Sequence, residues 1–180
     1  MSPEFLDGKE SKILDLNLRK KIYDITKKFA GCHFREIGRL SRLPTGTVKY
    51  HLDYLAKHGL ITSSKEDRNL RYFPRDFSSG NKKLMGLLRQ KSIRKILLFV
   101  LMHDNCNHEQ IVNYVKLSPS TISWHLRKLE ESKAISSRKK GRKTYYSVLA
   151  DKEEIVKLLI IYKESFLDSL VDSVVEMWDI

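Results

Sequence analysis

Residues 117–132, LSPSTISWHLRKLEES, repeat residues 43–58, LPTGTVKYHLDYLAKH, at a shift of 74 positions. Thr121 falls on Thr47, His125 on His51, Leu126 on Leu52 and Leu129 on Leu55. The shift runs without a gap from about 18 to about 73, pairing Cys32 with Cys106, Ile37 with Ile111, Ile61 with Ile135, Arg68 with Arg142 and Tyr72 with Tyr146. A solenoid repeat spans roughly 20–50 residues, so a period this long means two copies of a whole small domain. The expected organisation is an N-terminal segment (1–16), a first domain (17–77), a linker (78–87) that leads into a short helix at 84–90, a second domain (88–150) and a C-terminal helix (151–180).

Helical spacing dominates each copy. In the second, Ile93, Ile96, Leu97 and Val100 make one apolar face. HEQIVNYV (108–115) makes another with Ile111, Val112 and Val115, and Ile122, Leu126 and Leu129 make a third. Ser118 followed by Pro119 marks the third start, because a serine hydroxyl accepts from first-turn amides and proline at the first helical position loses no hydrogen bond. In the first copy Pro44 takes the place of Ser118 and Gly46 sits in the first turn, a weaker start. After the third helix, AISSRKKGRKTYYSVL (134–149) puts β-favouring residues on both sides of Gly141, and LITSSKEDRNLRYF (60–73) turns at 67–69. Three helices and a two-stranded wing describe a winged helix-turn-helix. The fold class expected is mainly α with small β-hairpin wings, in two tandem winged domains plus a long C-terminal helix.

Charge says where such domains would meet a partner. The formal net charge is +12 and the sequence pI about 9.7. The excess lies in the two copies, +8 over 17–77 and +9 over 88–150, whereas 151–180 carries −5. A basic balance attracts polyanions and says nothing of fold. Opposite the apolar stripe of its third helix, the second copy presents Ser118, Ser120, Thr121, Ser123, Trp124, Arg127 and Lys128. Small hydroxyls let a helix approach a duplex closely and bond base edges or phosphates, and arginine neutralises phosphate. Its wing concentrates Arg138, Lys139, Lys140, Arg142 and Lys143 at one tip. The first copy offers Thr45, Thr47, Lys49 and Tyr50 on the helix with Arg68 and Arg71 on the wing, diluted by Glu66 and Asp67. It is expected mainly to grip phosphates. For His51 and His125 two readings stand, a phosphate contact or a local hydrogen bond at the helix edge.

Other chemistries find no support in the chain. His103, Cys106 and His108 lie close together, but no fourth ligand is indicated and HEQIV lacks the second histidine of an HExxH site, so neither metal nor cofactor is expected. No phosphate loop, nucleophile elbow or carboxylate pair points to an enzyme. Cys32 and Cys106 occupy equivalent loops and are expected to be reduced thiols. No apolar run suits a membrane, and a cytoplasmic, nucleoid-associated protein is expected. From Lys152 the chain reads as one long helix, with Ile155, Leu159, Tyr162, Phe166, Leu170, Val174 and Met177 spaced by three or four. That stripe is read as a homodimer seam, and packing back over its own domains is the alternative.

LSPSTISWHLRKLEES with its wing, the block FREIGRLSRLPTGTVKYHLDYLAKHGLI (34–61) and the closing LLIIYKESFLDSLVDSVVEMW (158–178) resemble the tandem winged-helix transcriptional regulators of euryarchaea. Each half is similar to the ArsR and MarR types, and within the group the archaellum-operon regulators of methanogens are the nearest resemblance. The resemblance implies sequence-specific binding of double-stranded promoter DNA by a dimer. The competing expectation is a winged-helix interaction module that docks on RNA polymerase or basal factors; the strongly cationic charge of both repeats argues against it.

Overall fold

The computed structural model describes residues 16–66, 69–163 and 166. It divides into two compact units between Lys82 and Lys83. The first contains α1 (Asn17–Lys28), β1 (Cys32–His33), α2 (Phe34–Ser41), α3 (Thr45–Lys57), β2 (Ile61–Glu66) and β3 (Asn69–Pro74). Helix α4 (Asn81–Leu88) holds the division point. The second unit continues with α5 (Lys91–Met102), β4 (Cys106–Asn107), α6 (His108–Val115), α7 (Pro119–Glu131), β5 (Ile135–Lys140), β6 (Lys143–Val148) and α8 (Lys152–Ile161).

The 74-residue shift carries into the backbone. Helices α5, α6 and α7 start and end 74 residues after α1, α2 and α3. Cys32 pairs with Tyr72 and Cys106 with Tyr146; Ile61 pairs with Pro74 and Ile135 with Val148. Even the left-handed positions recur: Gly31 and Asn105, Arg42 and Lys116, and Gly59 and Lys133 all have φ between 56° and 77°. Each pair leaves a helix the same way, so the copies share their chain reversals as well as their helices.

Each sheet has three strands, in the order β1-β3-β2 and β4-β6-β5, not the two expected from sequence. The additional strand is two residues long, too short for a period-2 pattern to show. It ties the start of the second helix to the wing. In the wing of the second unit, Lys140 pairs with Lys143 across Gly141 and Arg142. Gly141 has φ 62°, which glycine adopts without steric cost at the first central position of a type II′ turn.

The core of the first unit is Ile22, Cys32, Ile37, Val48, Leu52, Leu55, Leu60 and Ile61. The second buries the equivalents Ile96, Cys106, Ile111, Ile122, Leu126, Leu129, Ala134 and Ile135. Both cysteines are free and buried, and burial pushes the Cys106 thiol up to about 11.

Two segments differ in extent from expectation. The short helix expected at 84–90 is present as α4, which begins at Asn81 within the stretch read as linker and buries Leu84, Met85, Leu87 and Leu88. The long terminal helix stops at Ile161, where Tyr162 turns out of α geometry at φ −108°, ψ 20°. Within α8, Ile155 and Leu159 are fully buried in their own unit, and Phe166 beyond it is buried too. Arg94 of α5, itself 1% exposed, donates from Nη1 to Leu88 O and from Nη2 to Phe166 O at 3.3 Å, with its guanidinium 4.6 Å from the Phe166 ring. The seam assigned to Ile155, Leu159 and Phe166 is therefore corrected: these residues complete the fold of a single chain. Tyr162 is half-buried, and Leu170 and Val174 lie outside the described residues.

His51 and His125 are buried at 3% and 5% exposure, so neither reaches phosphate. His125 Nε2 sits 3.0 Å from Ser92 Oγ on α5, which fastens α7 to the first helix of its unit. Burial lowers both imidazole pKa values, with smaller contributions from Arg19 at His51 and Lys128 at His125. A base whose folded pKa is depressed adds full stability above its unfolded value of about 6.5 and loses it as pH falls below that toward the folded value. Thermal midpoints should accordingly drop as pH falls below about 6.5, and less steeply in a His51→Gln, His125→Gln double variant. Parallel curves would mean the two imidazoles titrate alike folded and unfolded.

Candidate nucleic-acid interface

Helix α7 has two faces because its buried stripe, Ile122, His125, Leu126 and Leu129, recurs at three and four residues. The opposite face exposes Ser120, Ser123, Trp124 and Arg127. Its start is well secured. Ser118 Oγ accepts from Thr121 N at 3.2 Å and lies 2.7 Å from Thr121 Oγ1 and 3.1 Å from Ser120 Oγ. The preceding helix α6 also has a side-chain cap: Asn107 Oδ1 accepts from Gln110 N at 3.0 Å, and Asn107 N donates to Gln110 Oε1 at 2.8 Å. No side-chain cap opens α2 or α3 of the first unit. The weaker start foreseen at Pro44 is what the structure has.

The hydroxyls on α7 are largely engaged by the protein itself. Ser123 Oγ donates to Pro119 O at 2.9 Å and lies 2.9 Å from His108 Nε2. With its proton given to Pro119, Ser123 accepts from an Nε2–H of His108 and keeps one acceptor lone pair and no donor. Trp124 and Arg127 are not committed in this way. Lys128 Nζ lies 4.1 Å from the centroid of the Trp124 ring and pins one face of it, while Trp124 stays 46% exposed.

The wing meets α7 across a cleft of about 380 Å³ lined by His108, Glu109, Ser123, Arg142, Lys143 and Thr144 among others. Thus Ser123 and the two wing cations, 19 and 20 residues apart in sequence, face one space. Glu109 Oε2 stands 3.8 Å from Lys143 Nζ in an exposed ion pair, worth little in water. Arg138 lies on the other side of the wing, beside Asp104, Asn105 and Tyr145. Lys139, Lys140 and Arg142 are exposed at the tip.

The equivalent surface of the first unit is weaker. Lys49 Nζ pairs with Asp53 Oδ2 at 3.2 Å, so the helix face loses its cation to a neighbour standing where α7 has Arg127. Thr45 is exposed and Thr47 half-buried. Tyr50, at the position of Trp124, is 60% exposed. Arg71 is a correction: it is 6% exposed and its Nη1 donates to Gly31 O at 2.9 Å. A buried guanidinium must be hydrogen-bonded, and this one fastens the loop before β1 instead of facing solvent. Arg68 lies outside the described residues. Among the described residues no group of three or more histidine, cysteine or acidic side chains is arranged to hold a metal.

Sequence reasoning misses His108 and Glu109 as parts of this site. In the sequence His108 stands out only beside His103 and Cys106, and its link to Ser123 spans 15 residues that only the fold brings together.

Comparison with known proteins agrees with this geometry. Residues 16–85 match the model of an N-terminal HTH domain, and residues 91–135 match the bacterial regulatory protein, arsR family. The chain carries two helix-turn-helix domains in tandem. A relative named as an uncharacterized HTH-type transcriptional regulator of Methanocaldococcus jannaschii is 28% identical over 139 residues, which are 77% of this chain and 35% of the relative. The chain thus corresponds to about a third of that protein's length. No helix among the described residues is long and apolar enough to cross a membrane.

Replacing Ser118 by Ala removes the α7 cap and is expected to destabilise the second unit by about 1 kcal/mol, read from urea denaturation. An unchanged midpoint would show that Pro119 and packing alone hold the helix start.

Proposed function

We propose that the chain binds double-stranded promoter DNA sequence-specifically, with α7 in the major groove and the wing of the second unit along the backbone. The observation that carries this reading is the shared cleft of Ser123, Arg142 and Lys143 beneath a helix whose outer face keeps Trp124 and Arg127 exposed. Base contacts specify and phosphate contacts position. On this division Trp124, Arg127 and the remaining lone pair of Ser123 meet base edges. Ser120, Lys139, Arg142 and Lys143 meet phosphates. The first unit, with Lys49 neutralised and Arg71 buried, adds non-specific grip through Thr45, Thr47 and Tyr50. A DNA target implies a cytoplasmic chain associated with the nucleoid.

The proposed dimer requires a seam other than the one Ile155, Leu159 and Phe166 suggest. Because those three serve the core of one chain, pairing falls to the apolar positions beyond them, Leu170, Val174 and Met177. Two chains then bring four winged domains to one bipartite, roughly palindromic site, where modest contacts add through effective concentration. Docking on polymerase or basal factors is the competing role, and the neutral face of α3 is where it would occur.

Arg142→Ala with Lys143→Ala should weaken binding to specific and random duplexes alike and flatten the dependence of log affinity on log salt by about 0.9 for each phosphate no longer neutralised. An unchanged slope would take the wing off the backbone. Truncation after Leu167 preserves Phe166 and should give a folded monomer by sedimentation; a dimer at that length would place the interface elsewhere.

A further inference from the structure

The outer face of α7 is short of free hydrogen-bonding hydroxyls. Ser118, Ser120 and Thr121 are grouped around the cap, and Ser123 is held between Pro119 and His108. What projects from the centre of that face is an indole. Trp124 is 46% exposed on a helix whose core positions are all filled by other residues, and its ring is steadied by Lys128 at 4.1 Å and by the edge of His125 at 5.0 Å between centroids. The same position in the first unit carries Tyr50, also turned out to solvent at 60% exposure. Leaving a large aromatic in water on both helices forgoes its burial free energy, so packing within either unit does not account for it.

The chemistry of an indole is narrow: an apolar ring and edge, one N–H donor and no acceptor. In the major groove guanine shows two acceptors, cytosine a donor, adenine an acceptor beside a donor, and thymine an acceptor beside a methyl group. Thymine alone offers both an apolar partner for the ring and an acceptor for the N–H. Adenine and cytosine would leave an amino donor facing a residue that cannot accept. We infer that Trp124 is a specificity-determining residue that reads a thymine, through its 5-methyl group, in each half of the recognised site. This rests on the proposed major-groove docking of α7 and names the base that docking selects.

The test begins with duplexes selected from a random pool by the full chain. Each thymine of the recovered motif is replaced singly by deoxyuridine, which deletes the methyl group and keeps the pairing. One thymine per half-site should lose about fourfold in affinity, the worth of one buried methyl group. That loss should vanish in Trp124→Ala, persist in Trp124→Leu, which keeps an apolar contact, and persist in Arg127→Ala as a control for general weakening. Half-exposed Trp124 makes folding of the variants easy to verify by circular dichroism. A recovered motif in which no thymine is methyl-sensitive, or methyl sensitivity that survives in Trp124→Ala, overturns the inference and leaves the proposed function standing. Recovery of no motif at all removes both.

Discussion

Everything at the candidate interface depends on one buried stripe. Ile122, His125, Leu126 and Leu129 sink one side of α7 into its unit, and the 3.6-residue period then leaves the other side in solvent. His125 adds direction to that burial. Its hydrogen bond with Ser92 joins α7 to α5 at a defined point, where apolar contact alone would tolerate sliding. The wing follows, since β5 leaves α7 through the left-handed turn at Lys133 and returns as β6 along β4, which sets the start of α6 beside the wing. His108 and Lys143 reach one cleft for that reason.

The two copies share this frame and differ in chemistry. The second has capped α6 and α7, an exposed arginine on α7 and five exposed cations on its wing; the first has uncapped α2 and α3, a lysine paired with its neighbour and a wing arginine turned inward. An exposed pair such as Lys49 and Asp53 contributes little to stability, so its consequence lies in the charge it cancels. A duplicated fold with one polar face sharpened and the other blunted suits a division between reading and holding.

Much of the fold was legible because helices announce themselves by spacing and the repeat announced them twice. Ser118 and Pro119 marked a real cap, and Gly141 a real turn. The strands β1 and β4 escaped notice at two residues each. Leu84, Met85, Leu87 and Leu88 made helix α4 legible, while Ser78, Ser79, Gly80 and Asn81 hid its start, three residues earlier than expected. At the site, the outward faces of α3 and α7 were readable from periodicity. Arg71 was not, because an arginine on a strand looks like a surface cation until the loop whose carbonyl it binds is known to lie 40 residues away. Nor does the sequence signal that Arg94 holds the carbonyl of Phe166, 72 residues on. Tertiary hydrogen bonds of long side chains leave no local pattern in a sequence.

The central claim is that the second winged domain gives this chain a preference among DNA sequences, beyond the attraction of a cation for a polyanion. Titration of a selected duplex and a scrambled one of equal length, at salt near physiological, measures that preference directly. The account predicts a ratio of at least roughly 10³ in favour of the selected duplex, as specific regulators show. Equal, weak and steeply salt-dependent binding to both would contradict it.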